Sequence, residues 1–174
     1  MKDFTTLFLS SLLLFSCATN TALLNPDYNP QKQESIMLGK YSLKTNSKFS
    51  IYLEFKNTDL DKVYGVIMEE KDQDSYKAIS ILPGKYTLTK MTLVDFLNST
   101  FGTERFRDDP PIEFTIEEGQ IINIGEISGH ISQTGSNINF SILYIGDPDS
   151  SVEDYFTANY PFLDDSSMFS LKDD

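Results

Sequence analysis

The chain has 174 residues, 40% apolar, 13% aromatic and 23% charged, which excludes a disordered chain. Fourteen Lys and Arg against 26 Asp and Glu leave a net charge of −12, which excludes a broad electrostatic grip on nucleic acid or on an anionic membrane surface. A single cysteine, Cys17, and a single histidine, His130, exclude disulfides within the chain and leave any histidine-dependent catalysis to one side chain.

Residues 4–15 are an almost unbroken run of Phe, Thr, Leu and Ser. Such a run is too short for a bilayer, which takes about 20 residues, and fits the apolar core of a signal peptide. Leu14-Phe15-Ser16-Cys17-Ala18 resembles a bacterial lipobox, with Phe15 where a smaller residue is usual. The resemblance implies cleavage before Cys17, acylation of its thiol and a mature chain of 174 − 16 = 158 residues. Residues 1–16 are then a lipoprotein signal peptide, and membrane attachment runs through lipidated Cys17 in a bacterial cell envelope. At the outer membrane, the chain would face either the periplasm or the cell surface. Two or more acyl chains hold a protein on a membrane stably. Residues 17–35, rich in Asn, Gln, Pro and Thr, read as a tether spanning about 25 Å.

From residue 36 the apolar pattern has period two. Phe49, Ile51, Leu53 and Phe55 alternate with Ser50, Tyr52, Glu54 and Lys56, as a strand with one buried face requires. Further strands are predicted at 63–68, 76–82, 85–92, 112–117, 120–127 and 137–145, with a short one near Tyr41. Asn57-Thr58-Asp59, Pro83-Gly84, Glu118-Gly119 and Gln133-Thr134-Gly135-Ser136 supply turns between them. The fold class expected is all-β, an antiparallel two-sheet sandwich over residues 36–163 with one short C-terminal helix. Ser150 and Glu153 form a capping box for that helix, Val152, Tyr155 and Phe156 share one face, and Pro161 ends it. The helix is expected over an open end of the sandwich, and residues 164–174 as an acidic, frayed tail.

Ile81-Leu82-Pro83-Gly84-Lys85-Tyr86-Thr87-Leu88-Thr89 is similar to the turn and strand of carboxypeptidase-regulatory-like, or prealbumin-like, domains. Proline fixes φ at the first turn position, glycine accepts positive φ at the second, and Tyr86 points inward with its hydroxyl free to reach backbone, as in a tyrosine corner. Phe114-Thr115-Ile116-Glu117-Glu118-Gly119-Gln120 with Ile122 and Ile124 resembles the closing hairpin of those domains. The resemblance covers residues 36–131 and implies an Ig-like or prealbumin-like sandwich, typically a non-catalytic module.

Catalytic and metal chemistry find little support in the residues. The pairs Glu69-Glu70, Asp108-Asp109, Glu117-Glu118 and Asp164-Asp165 are sequence neighbours, and on a strand such neighbours face opposite sides. Asp147, Asp149, Ser151, Glu153 and Asp154 offer oxygens at alternating positions, but Val152 and Ala158 stand where a calcium-binding loop needs Gly and Glu. The same residues serve as helix cap and first-turn acids. No catalytic residue, metal site or cofactor is therefore assigned. Residues 32–90 carry ten Lys against eight acids, and residues 113–174 one Lys against twelve acids.

The connection 93–111 exceeds the usual loop length and holds both arginines, Arg105 and Arg107, among Phe96, Phe101 and Phe106. Arginine with aromatics is the composition of binding hot spots, so Phe101, Arg105, Phe106 and Arg107 are the candidate partner-binding residues. The structural alternative is an extra hairpin. The function expected is that of a membrane-anchored, non-enzymatic envelope lipoprotein that binds a protein partner or serves in assembly, without nucleic acid. A calcium-dependent adhesion module and a carboxylate- or metal-dependent hydrolase of envelope components are the alternatives.

Overall fold

The computed structural model describes residues 22–25, 27, 34–70, 75–95, 100–105, 112–145, 150–160 and 168–170. In chain order these form β1 (Ser35–Thr45), β2 (Ser50–Asn57), β3 (Lys62–Met68), β4 (Ser75–Ile81), β5 (Gly84–Val94) and β6 (Thr100–Arg105). Then follow β7 (Glu113–Ile116), β8 (Ile121–Thr134), β9 (Asn137–Ile145), α1 (Ser150–Asn159) and β10 (Met168–Ser170). Two sheets result. The first, sheet A, has the order β10-β8-β1-β4 with β9 also on β8, and the second, sheet B, has β3-β2-β5-β6 with β7 also on β5. The two-sheet sandwich with one short helix is the architecture the alternation predicts.

Sheet A is mixed rather than purely antiparallel, because β8 runs parallel to both β1 and β10. Hairpins enforce antiparallel pairing only between strands joined by tight turns, and β1 and β8 are distant in the chain. Between the sheets, Tyr41 and Leu43 of β1 and Ile127 and Ile131 of β8 meet Ile51, Leu53 and Phe55 of β2 and Tyr86, Leu88 and Leu93 of β5 in one buried cluster.

Two bulges set which side chains face that core. In β8 the register to β1 jumps from Leu38↔Asn123 to Lys40↔Glu126, one residue more on β8 than on β1. Gly125 takes the positive φ of 79° at the bulge, and its N–H donates to Asn123 Oδ1 at 2.9 Å. Consequently Ile122 and Ile124 face inward before the bulge, and Ile127 and Ile131 after it. β5 does the same near Thr89, whose neighbours Lys90 and Leu88 pair with Glu54 and Phe55. The expected strands at 120–127 and near Tyr41 are correspondingly longer, at 14 and 11 residues.

The helix does not cover an end of the sandwich. Val152, Phe156 and Tyr160 pack with Ile36, Leu38, Ala78 and Ile121 on the outer face of sheet A. Apolar side chains there need a cover as much as the inner core does. Tyr76 stacks on Tyr155 with ring centres 4.1 Å apart and meets Phe156 edge-on. Within the stretch read as tether, the Leu24 N–H donates to the Ala78 carbonyl at 2.8 Å, and the Leu24 carbonyl accepts from Tyr160 Oη at 3.2 Å. Residues 168–170, expected as frayed tail, pair with Ile121, Ile122 and Asn123, the stretch of β8 that β9 leaves open.

The Pro83-Gly84 turn has the arrangement expected of a tyrosine corner. Tyr86 is fully buried and its hydroxyl donates to the Leu82 carbonyl at 2.6 Å, while Tyr64 Oη accepts from the Leu82 N–H at 3.0 Å. Asn57, also buried, donates to the Pro83 carbonyl at 3.2 Å and accepts from the N–H groups of Asp59 and Leu60. Gly84 has φ +139°, and a Cβ there would lie 2.7 Å from Asn57 Nδ2, so both conformation and space call for glycine. Tyr86→Phe is expected to cost about 1–2 kcal/mol by leaving the Leu82 carbonyl without its donor. Chemical denaturation checks this, and an unchanged midpoint would remove the corner as a stabilising feature.

Candidate functional site

Helix α1 covers only part of the outer face of sheet A. Beyond it, alternation on β1 turns Lys40, Ser42 and Lys44 outward, and the bulge at Gly125 brings Glu126, Ser128 and His130 of β8 into the same plane. Parallel register sets Lys40 beside Glu126, Ser42 beside Ser128 and Lys44 beside His130. On the other side of β8, antiparallel register sets His130 beside Ser141 and Ser128 beside Leu143. Directly paired residues share a face, so seven polar side chains and Leu143 form one surface. Leu143, 62% exposed, is the most exposed large apolar residue among those described.

The centre of this surface is braced. Ser128 Oγ donates to Glu126 Oε1 at 2.8 Å, the Ser42 and Ser128 hydroxyls lie 2.9 Å apart, and Lys40 Nζ is 3.2 Å from Glu126 Oε2. The serine hydroxyls and Glu126 are thus committed to each other. Next to them is an open groove of about 790 Å³, lined by Lys44, Glu70, His130, Ser141 and Leu143 among others. Exposed charges of both signs, hydroxyls and an exposed apolar side chain on an open surface suit contact with another macromolecular surface. Among the described residues, no group of three or more His, Cys, Asp or Glu is placed to hold a metal ion. No described helix is long and apolar enough to cross a membrane.

Electrostatics join the two halves of the chain. Lys40 pairs with Glu126, and Lys85 with Glu113 at 2.8 Å, so the lysine-rich early strands and the acidic later ones mix within each sheet. Hydrogen bonding to Lys85 holds the Glu113 carboxyl below its usual range, and the Lys56 ammonium does the same for Asp61. Both pairs are exposed and contribute little to stability.

Of the residues picked from sequence, Phe101 and Arg105 lie on β6, paired to β5 with Arg105 opposite Lys90 and Gly102 opposite Leu93. The long connection therefore contains the extra hairpin strand, at the edge of sheet B. Phe106, Arg107, Cys17, Asp147 and Asp149 lie outside the described residues. Ser151, Glu153 and Asp154 sit in the first half of α1. Sequence reading named His130 only as a lone histidine and Glu70 only as one of two neighbouring acids, and missed Lys44, Ser141 and Leu143. The signal present was the alternation of Lys40, Ser42 and Lys44, matched by Glu126, Ser128 and His130 only once the bulge is known.

No family model and no curated protein matches the chain. Among solved structures it is similar to a candidate cell adhesion protein of Bacteroides fragilis, at 8% identity and a TM-score of 0.33. The match covers 67% of this chain and 47% of that one, less than half of the neighbour's length. A superposition of that depth assigns neither a family nor a function.

Proposed function

We propose that this chain is a non-enzymatic binding or assembly module of a bacterial envelope, a prealbumin-like sandwich held to the membrane by lipid on Cys17. The observation that supports it most is the part of the outer face of sheet A beyond α1, where Lys44, His130, Ser141 and Leu143 line an open groove that Glu70, just past β3, also borders. The tyrosine corner at Tyr86 supports the likeness to prealbumin-like modules, and the apolar run ending at Cys17 supports the anchor. A tethered module needs a surface for its partner, and this one is open and mixes charges, hydroxyls and apolar side chains.

The anchor is tested by replacing Cys17 with Ser and following the protein through detergent phase partitioning. Loss of the acyl chains removes about 0.8 kcal/mol for each methylene no longer buried, so the variant is expected in the aqueous phase. A variant that still partitions with detergent would show that Cys17 is not the attachment point.

A further inference from the structure

Two strand edges in the described structure are met by other groups. The edge of β4 is met by Leu23, bridged to Ile79, and by the Leu24 N–H on the Ala78 carbonyl. On β3 the Ile67 carbonyl accepts from the buried Lys77 ammonium at 2.6 Å, and the Tyr52 ring lies over Gly65. The nine residues of β9 differ from these two, as do β6 and β7, each paired only with β5. Those of β9 pair with β8 on one side, and no described strand adjoins the other. β9 has no charge, Pro or Gly, the features that usually guard such an edge. Its inward side chains Ile138, Phe140, Ile142 and Tyr144 pack on the core yet stay only partly buried.

Charge singles out the same region. Residues 127–145 contain no Asp, Glu, Lys or Arg, in a chain that is 23% charged and carries −12 overall. At that frequency a stretch of this length would carry about four charged residues. Like-charge repulsion opposes self-contact at the acidic stretches of the molecule, and this hairpin carries no charge that would add to it. The strand is also self-complementary. Antiparallel pairing centred on Ser141 sets Ile138 against Tyr144 and Phe140 against Ile142 on the inward face, and Asn139 against Leu143 and Ser141 against itself on the outward face.

We propose that β9 is a self-pairing edge, through which two copies of this chain join their first sheets into one continuous sheet; this names the partner within the assembly reading and rests on it. Pairing completes the cover over the half-buried β9 side chains and brings the two open grooves together across a twofold axis.

The test uses the full chain in detergent with Cys17→Ser, so that an added thiol is the only one. At the twofold, position 141 meets its own copy with Cα atoms about 4.5–5.5 Å apart, within disulfide range. Ser141→Cys is expected to give a covalent dimer as the main species on mild oxidation, and Ser136→Cys, exposed at the hairpin turn, to give no covalent dimer. Ser141→Lys sets two like charges face to face, so sedimentation is expected to show loss of the dimer while circular dichroism shows an unchanged content of strand. A monomeric unsubstituted chain, or equal crosslinking from positions 136 and 141, would overturn self-pairing. Either result leaves the partitioning behaviour of Cys17→Ser untouched, so failure here is distinguishable from failure of the anchor.

Discussion

Phe156→Ala is expected to lower stability by about 3–5 kcal/mol, the cost of truncating a fully buried phenylalanine. The ring touches Tyr76, Tyr155 and Tyr160, and α1, at 10 residues, is too short to persist in water without such packing. The loss should be local in kind. Without Phe156 the helix undocks, Ile36, Leu38, Ala78 and Ile121 meet water, and the Leu24 carbonyl loses Tyr160. Hydrogen exchange should show protection falling first in α1 and in residues 22–25, while the cluster around Phe55 and Tyr86 keeps its protection. Uniform loss across both sheets would mean that the helix belongs to the main cooperative unit, and an unchanged midpoint would mean that it contributes nothing.

Stability should also fall steeply in alkali. Burial pushes the phenols of Tyr41 and Tyr86 well above the ordinary value near 10, with the Tyr144 phenol adding to the effect at Tyr41 and the hydrogen bond from Asn57 offsetting part of it at Tyr86. The folded state therefore holds both protons at a pH where the unfolded chain has released them. Stability from these groups is complete below about pH 10 and is lost as pH rises from there towards the folded-state values. Each such group adds a slope of about 1.4 kcal/mol per pH unit, and Tyr86→Phe should remove one such increment. Urea midpoints measured across that range, with tyrosinate absorbance as a second probe, check the sign and the slope. A midpoint that stays level beyond pH 10 would show that the two hydroxyls titrate freely in the folded protein.

Much of the sandwich was legible because a half-buried strand writes its burial into every second residue, as Ile51, Leu53 and Phe55 do. The tyrosine corner was legible because proline, glycine and tyrosine each answer a local demand of the turn. The bulges at Gly125 and near Thr89 were not legible. Each shifts the alternation by one, so β8 reads as ending where its second half begins, and the outward row of Glu126, Ser128 and His130 drops out of phase with Ile121 and Asn123. Parallel pairing of β1 with β8 leaves no mark in either strand, since pairing partners share only a face. The position of α1 followed from Ile36 and Leu38, which read as ordinary strand residues until the sheet shows that they face away from the core. The candidate surface stayed hidden for the same reason, because its residues come from three strands whose order the sequence does not state.

The most direct test of that surface is photocrosslinking in intact cells, with the crosslinking side chain placed in turn at Leu143, on the open face of sheet A, and at Arg105, on the edge strand of sheet B. Adducts from position 143, to a second copy or to an envelope protein, with none from position 105, are the expected result. Adducts from position 105 alone would contradict a working face on sheet A and move the binding function to the hairpin that carries Phe101 and Arg105.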